Sequence, residues 1–154
     1  MSVLVMLLAL GAPVFAKLSE GWFDLAPCEL CLWQRWPYWA AAAAAGLALA
    51  LPRARPWLLA AAGGGALVSA AIGAFHLGVE WHWWPSPLAG CGAPQAAGAT
   101  VDELLRGLRA APAKPCDEPA FLIPGLPLSM AGMNTIYGLA LGGFALWAAR
   151  RRDA

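Results

Sequence analysis

Long uncharged runs alternate with short polar breaks along this chain. Four stretches lack charge over helix-spanning lengths: Met1 to Ala16, Leu32 to Leu51 with Arg35 near its start, Trp57 to Val79, and Met130 to Ala149. A hydrocarbon layer about 30 Å thick needs roughly 20 helical residues. The last three runs meet that length. The first does so if its helix continues to about residue 20, with Lys17 and Glu20 reaching toward the headgroups. Val14-Phe15-Ala16 before Lys17 also looks like a signal-peptidase site, but no Lys or Arg precedes the run, so the basic leader of a signal peptide is missing. The pattern predicts an all-α membrane protein with one domain over 1–154. The expected architecture is a four-transmembrane-helix bundle, with helices at about 1–18, 30–51, 57–79 and 130–149 and outer loops at about 19–29 and 80–129.

The long loop has a pattern of its own. Val101, Leu104, Leu105 and Leu108 recur at helical spacing, and Thr100 with Glu103 forms a capping box, so a short amphipathic helix is expected there. Its apolar face would rest either on the membrane surface or on the rest of the loop. Prolines 85, 87, 94, 112, 115, 119, 124 and 127 interrupt everything else in that segment. Gly138 and Gly142 make a Gly-X-X-X-Gly pair suited to close helix packing.

Composition supports the membrane reading. Of 154 residues, 60% are hydrophobic and 12% charged, the latter about half the roughly 25% of soluble domains. A chain this short cannot hide such an apolar excess in one core, so the excess must face lipid. These figures exclude disorder and an ordinary cytosolic enzyme. A net charge of +1 implies no broad attraction to nucleic acid, so none is expected as a partner. Arg53 and Arg55 lie between runs two and three, and Arg150, Arg151 and Arg152 follow run four. By the excess of basic residues on the cytoplasmic side, both termini are expected in the cytoplasm. Trp22, Trp33, Trp36, Trp81, Trp83 and Trp84 then cluster at the outer boundary, where indoles favour the headgroup layer.

All four cysteines, Cys28, Cys31, Cys91 and Cys116, fall at the outer side. In a bacterial-type envelope that side is oxidising. Four cysteines allow three pairings. Cys28 and Cys31 form a Cys-X-X-Cys directly after Pro27, a residue suited to a helix start. Thiols in the first turn of a helix are favoured as thiolates by unpaired N–H groups and the helix dipole. Arg35, four residues after Cys31, is expected on the same helix face, where its guanidinium would lower the thiol pKa further and bind an anionic oxygen of a ligand. A charge one turn inside the membrane costs up to a few kcal/mol (roughly), which argues for a function. The small ring of a Cys-X-X-Cys disulfide favours exchange over stapling. A zinc site fits poorly, because only one close-spaced pair exists, and no metal is expected.

Pro27-Cys28-Glu29-Leu30-Cys31-Leu32-Trp33-Gln34-Arg35-Trp36-Pro37-Tyr38 closely resembles the signature of the DsbB family, quinone-linked thiol oxidases of the bacterial envelope. Trp84-Pro85-Ser86-Pro87-Leu88-Ala89-Gly90-Cys91 is similar to the family's segment before its first loop cysteine. Pro115-Cys116-Asp117-Glu118-Pro119, continuing through Gly125 and Leu128 to Asn134, is similar to the segment around its second. The resemblance covers about residues 20 to 140. It implies a dithiol:quinone oxidoreductase in the bacterial inner membrane with its cysteines on the periplasmic side. The cofactor would be a quinone, ubiquinone or menaquinone. The partner would be DsbA, a soluble thioredoxin-fold protein. By position, Cys28 and Cys31 would exchange electrons with the quinone, Cys31 would be the thiolate facing it, and Arg35 would lie near its oxygen. Cys91 and Cys116 would form the loop pair that re-oxidises DsbA. Cys91 would make the mixed disulfide, and Cys116 would link transiently to Cys28. A histidine at the outer end of helix three is implicated in quinone binding in relatives, which makes His76 the first candidate here and His82 the second. A vitamin-K-epoxide-reductase-like protein and a non-catalytic scaffold with structural disulfides are the rival readings. In the former, the close-spaced pair follows most of the bundle instead of opening helix two.

Overall fold

The uncharged runs fold into helices that turn their small residues inward. The computed structural model describes residues 1–23, 25–88, 91, 101–102, 114–123 and 125–151. In chain order the helices are α1 (Ser2–Trp22), α2 (Glu29–Trp33), α3 (Trp36–Ala50), α4 (Arg55–Glu80) and α5 (Met130–Arg150), with a 3-10 turn at Pro52–Ala54 leading into α4. Among the described residues there is no strand. The amphipathic helix expected around 101–109 lies outside the described residues except for 101–102, which are helical.

The second expected helix is two helices. Proline lacks an N–H, and its ring clashes with the carbonyl four residues back. For Pro37 that carbonyl belongs to Trp33, where α2 ends. Gln34 and Arg35 form the turn, and α3 starts afresh with Pro37 in its first turn. Gln34 and Arg35 keep right-handed helical dihedrals across this break, and Cys31 and Arg35 still border one cavity. At the other end of the expected range, α1 runs four residues past residue 18, to Trp22.

Helix α4 packs against both α3 and α5, and α1 lies against α3. Their shared interior is built from Ala41, Ala45, Ala62, Ala66, Ala145 and Ala148, with Val5, Tyr38, Leu59 and Leu141. The large apolar residues point outward instead: Val3, Leu7, Phe15, Leu47, Ile136 and Leu139 are all exposed. This is the inverse of a water-soluble core. It suits helices that associate through close backbone approach while lipid solvates their outer faces. Ser2–Trp22 and Pro52–Glu80 are long and apolar enough to cross a membrane. Helix α3 has only 15 residues, and α5 carries Asn134 and Thr135 within its first half.

The helix ends sort by chemistry. Met1, Pro52 and Arg55 border one hollow and Arg53, Arg55 and Arg151 a neighbouring one. The cysteines gather at the opposite ends. There Trp84 folds back on α4, donating its indole N–H to the Phe75 carbonyl at 3.0 Å and stacking on the Phe75 ring. Gly78 makes room for it, since a Cβ at that position would lie 2.0 Å from the indole. His82, with φ of 58°, supplies the left-handed turn that sends the chain back.

Gly138 lets α5 approach α4 closely: a Cβ there would lie 2.8 Å from the Ala66 carbonyl oxygen and 2.9 Å from the Ala70 methyl. Gly138→Val should therefore destabilise the protein by about 1–3 kcal/mol through overpacking. Its thermal unfolding midpoint in detergent should fall, whereas an unchanged midpoint would mean the two helices do not touch there.

Candidate active site at the cysteine-bearing helix ends

Cys28 and Cys31 sit on the one-turn helix α2. Pro27 leads the chain into it, and Cys28 is its N-cap, with its sulfur accepting the Cys31 backbone N–H at 3.3 Å. Both thiols are free, and the sulfurs are 2.9 Å apart. Cys28 is buried and Cys31 is partly open. The sulfurs share one proton unequally. Cys28, donating its S–H to Cys31 and desolvated by burial, is pushed above the ordinary thiol range. Cys31, which accepts that hydrogen bond and also faces His76, is held below it. The Cys31 thiolate is thus favoured mainly by its side-chain neighbours. The helix N-terminus directs its N–H at Cys28, and Arg35 is not the cause.

Cys91 and Cys116 are joined by a disulfide. Both are buried, and they pack with Cys28, Leu30 and Val79 in one cluster, with Cys31 and Leu88 against it. Tertiary structure therefore brings the four sulfurs from three separate chain segments to one place. Cys116 is completely buried, whereas Cys91 borders a surface hollow with Trp84, Pro85, Ser86, His82 and Asp117. His82 itself is exposed, 3.9 Å from Asp117.

His76 lies in the middle of this cluster and is 2% exposed. Its Nε2 is 3.6 Å from Cys28 Sγ and 3.1 Å from the Cys116 carbonyl oxygen. Its Nδ1 is 2.9 Å from the Gln34 side-chain amide. Glu80, one turn on, approaches Nε2 to 4.0 Å and accepts the Ser129 hydroxyl at 2.5 Å. A polar chain continues inward from the backbone of Gln34, whose carbonyl accepts the Ser69 hydroxyl at 2.7 Å. Asn134 donates in turn to Ser69.

Arg35 has a partner the sequence reading did not assign. Its guanidinium donates to Glu20 near the end of α1, and Glu20 also binds Lys17 at 2.8 Å. A carboxylate and a guanidinium paired so near lipid lower each other's cost of burial. A lone acid at the end of an apolar helix was the signal available in the sequence. Between α1, α2 and α5 lies a cavity of about 70 Å³ lined by Glu20, Cys31, Gln34, Arg35, Tyr38 and Asn134, among others. It adjoins a groove of about 440 Å³, with Ala12, Ala16, Met130 and Asn134 lining both; Phe15, Met133 and Tyr137 make the groove apolar. Arg35 Nε and the Tyr38 hydroxyl are buried without a hydrogen-bond partner. His76 lines neither space.

Two free thiols, a closed disulfide and a cavity bordered by Arg35 and Tyr38 thus converge at one end of an apolar helix assembly. No curated protein and no solved structure matches the chain significantly. The family model described as "Disulfide bond formation protein DsbB" matches residues 1–148. That match covers nearly the whole chain, and it places the protein in the DsbB family of membrane proteins that form disulfide bonds.

Proposed function

We propose that this protein is a membrane dithiol:quinone oxidoreductase that re-oxidises a DsbA-like periplasmic protein. In this reading α1, α3, α4 and α5 cross the bacterial inner membrane. The arginine-bearing ends and both termini face the cytoplasm, and the cysteines face the periplasm. The observation that carries the reading is the cavity beside Cys31. Two buried donors without partners, Arg35 Nε and Tyr38 Oη, belong to residues that line it. An unpaired buried donor costs about 1–3 kcal/mol, so the site suits a ligand rich in acceptors. A quinone ring carries two carbonyl oxygens and no donor, and its apolar tail matches the adjoining groove. When bound, a quinone supplies a two-electron sink.

The chain's own residues then divide the work. The exposed hollow beside Cys91 supports attack on that sulfur by a soluble partner's thiolate, with Cys116 as the buried leaving group. Each exchange passes through a mixed disulfide and keeps the number of S–S bonds constant. Cys116 is packed with Cys28, so electrons can pass from the loop pair to the Cys-X-X-Cys without a large movement. Cys31, stabilised as a thiolate, presents charge to the cavity. Arg35, oriented by Glu20, and Tyr38 are the donors available to oxygen atoms there, and such hydrogen bonds gain strength as charge develops on those atoms.

Three outcomes test this. Cys31→Ser should abolish reduction of a soluble quinone, followed by its absorbance, while the loop pair still exchanges once with reduced DsbA; normal turnover would refute the assignment. Arg35→Lys and Tyr38→Phe should each raise the apparent KM for quinone by roughly 3- to 10-fold, the scale of one lost hydrogen bond. Equal KM values would remove these residues from the quinone site. Only the thiolate is nucleophilic, and a lowered pKa preserves it as pH falls through the ordinary thiol range. Alkylation of Cys31 in the reduced protein should therefore persist at pH 6, whereas Cys28 should react only under alkaline conditions. Matching pH profiles for the two would overturn the assigned charge distribution.

A further inference from the structure

His76 does not line the cavity beside Cys31 but lies one side chain behind it, and it bridges the two cysteine pairs. Its Nε2 meets Cys28 Sγ on one side and the Cys116 backbone on the other. We infer that His76 is a catalytic acid–base residue for electron exchange between the pairs, carrying the proton of Cys28. This rests on the relay described above and adds the step that the relay leaves unbalanced.

The exchange has two parts. A Cys116 thiolate attacks Cys28 Sγ; the Cys116–Cys28 bond forms, the Cys28–Cys31 bond breaks, and Cys31 leaves with the electron pair as a thiolate. A Cys91 thiolate, released when the partner's second thiolate completes the partner's own disulfide, then attacks Cys116 Sγ. The Cys91–Cys116 bond re-forms, the Cys28–Cys116 bond breaks, and Cys28 leaves with the electron pair. Cys28 is the buried sulfur of the pair, so it leaves readily only if it receives a proton, and His76 Nε2 is the donor at hand. The product has a closed loop disulfide and a Cys28 thiol donating to Cys31, which is the arrangement observed. When the pair is re-oxidised by its two-electron acceptor, Cys28 must lose that proton before it closes on Cys31, and the neutral His76 ring takes it back.

The surroundings allow both ring states. The Gln34 side-chain amide can donate to Nδ1 or, with its amide turned over, accept from it. The titratable groups around the ring are Cys28 and Cys31 from α2 and Glu80 one turn on along α4. The loop contributes the closed Cys91–Cys116 pair and Lys114, whose charge reaches Glu80; at the start of α5 the neutral Ser129 holds Glu80. A negative charge on Cys31 or Glu80 stabilises the imidazolium, so each electron pair reaching Cys31 draws a proton onto His76.

The test uses the full chain in detergent, oxidised at both pairs, with dithiothreitol as reductant, rapid acid quench and mass-tagging of free thiols. The readout is the rate at which Cys28 and Cys31 become reduced while the loop disulfide closes again, measured from pH 5 to 9. In the unmodified protein this rate should show an inflection as pH passes through the imidazole range, falling once the imidazolium donor is lost. His76→Gln should slow it about 100-fold, the lower range for acid–base catalysis, and remove the inflection. The KM for a soluble quinone, measured on protein already reduced at Cys28 and Cys31, should not change. A raised KM with normal exchange would make His76 a quinone ligand and overturn the inference. If His76→Gln fails to form the loop disulfide, the unmodified protein decides alone, and a profile without the inflection overturns it equally. Exchange that behaves as described in a protein unable to reduce any quinone would sink the electron-sink reading and leave the role of His76 standing.

Discussion

The burial of Cys28 between Cys31, His76 and the Cys91–Cys116 disulfide governs the rest of this structure. A sulfur at 2.9 Å and an imidazole at 3.6 Å leave Cys28 no access to solvent. The sulfurs nearest to it are those packed against it, and the four differ in what they border. Cys91 borders the outside, Cys116 and Cys28 form the buried junction, and Cys31 borders the cavity.

Holding that junction at the edge of an apolar assembly requires helices that touch closely. Small residues at Gly138, Ala66 and Ala145 permit it, and the large side chains are left for lipid. Polar side chains are then restricted to a narrow band. Asn134, Ser69 and Gln34 satisfy one another in series, ending at His76. Among the described residues three buried side-chain atoms lack a partner: Arg35 Nε and Tyr38 Oη belong to residues lining one cavity, and Arg55 Nε lies at the opposite helix ends.

The Glu20–Arg35 pair shows how a charge is kept at this depth. A guanidinium without a partner would be drawn toward the headgroups by its own chain length. Glu20 instead fixes it beside Cys31, and Lys17 in turn orients Glu20. The acid sits on α1 and the base in the turn before α3, so the pair also ties the first helix to the reactive end of the second.

Periodicity and charge determined much of this by themselves. An uncharged run of about twenty residues has few alternatives to a helix, because unsatisfied peptide groups cannot face lipid. A Cys-X-X-Cys after a proline is legible because its chemistry depends on neighbours within one turn, and the motif around it was enough to indicate the family. Pro37 could have revealed the break between α2 and α3, since its effect on the Trp33 carbonyl is local. The tertiary structure alone decided which residues meet across helices. Glu20 reaching Arg35 spans fifteen positions, and His76 reaching Cys28 spans forty-eight. Sequence spacing carries no signal for such contacts, because they depend on how far each helix slides and turns against the next, and small residues on α3, α4 and α5 set that fit collectively.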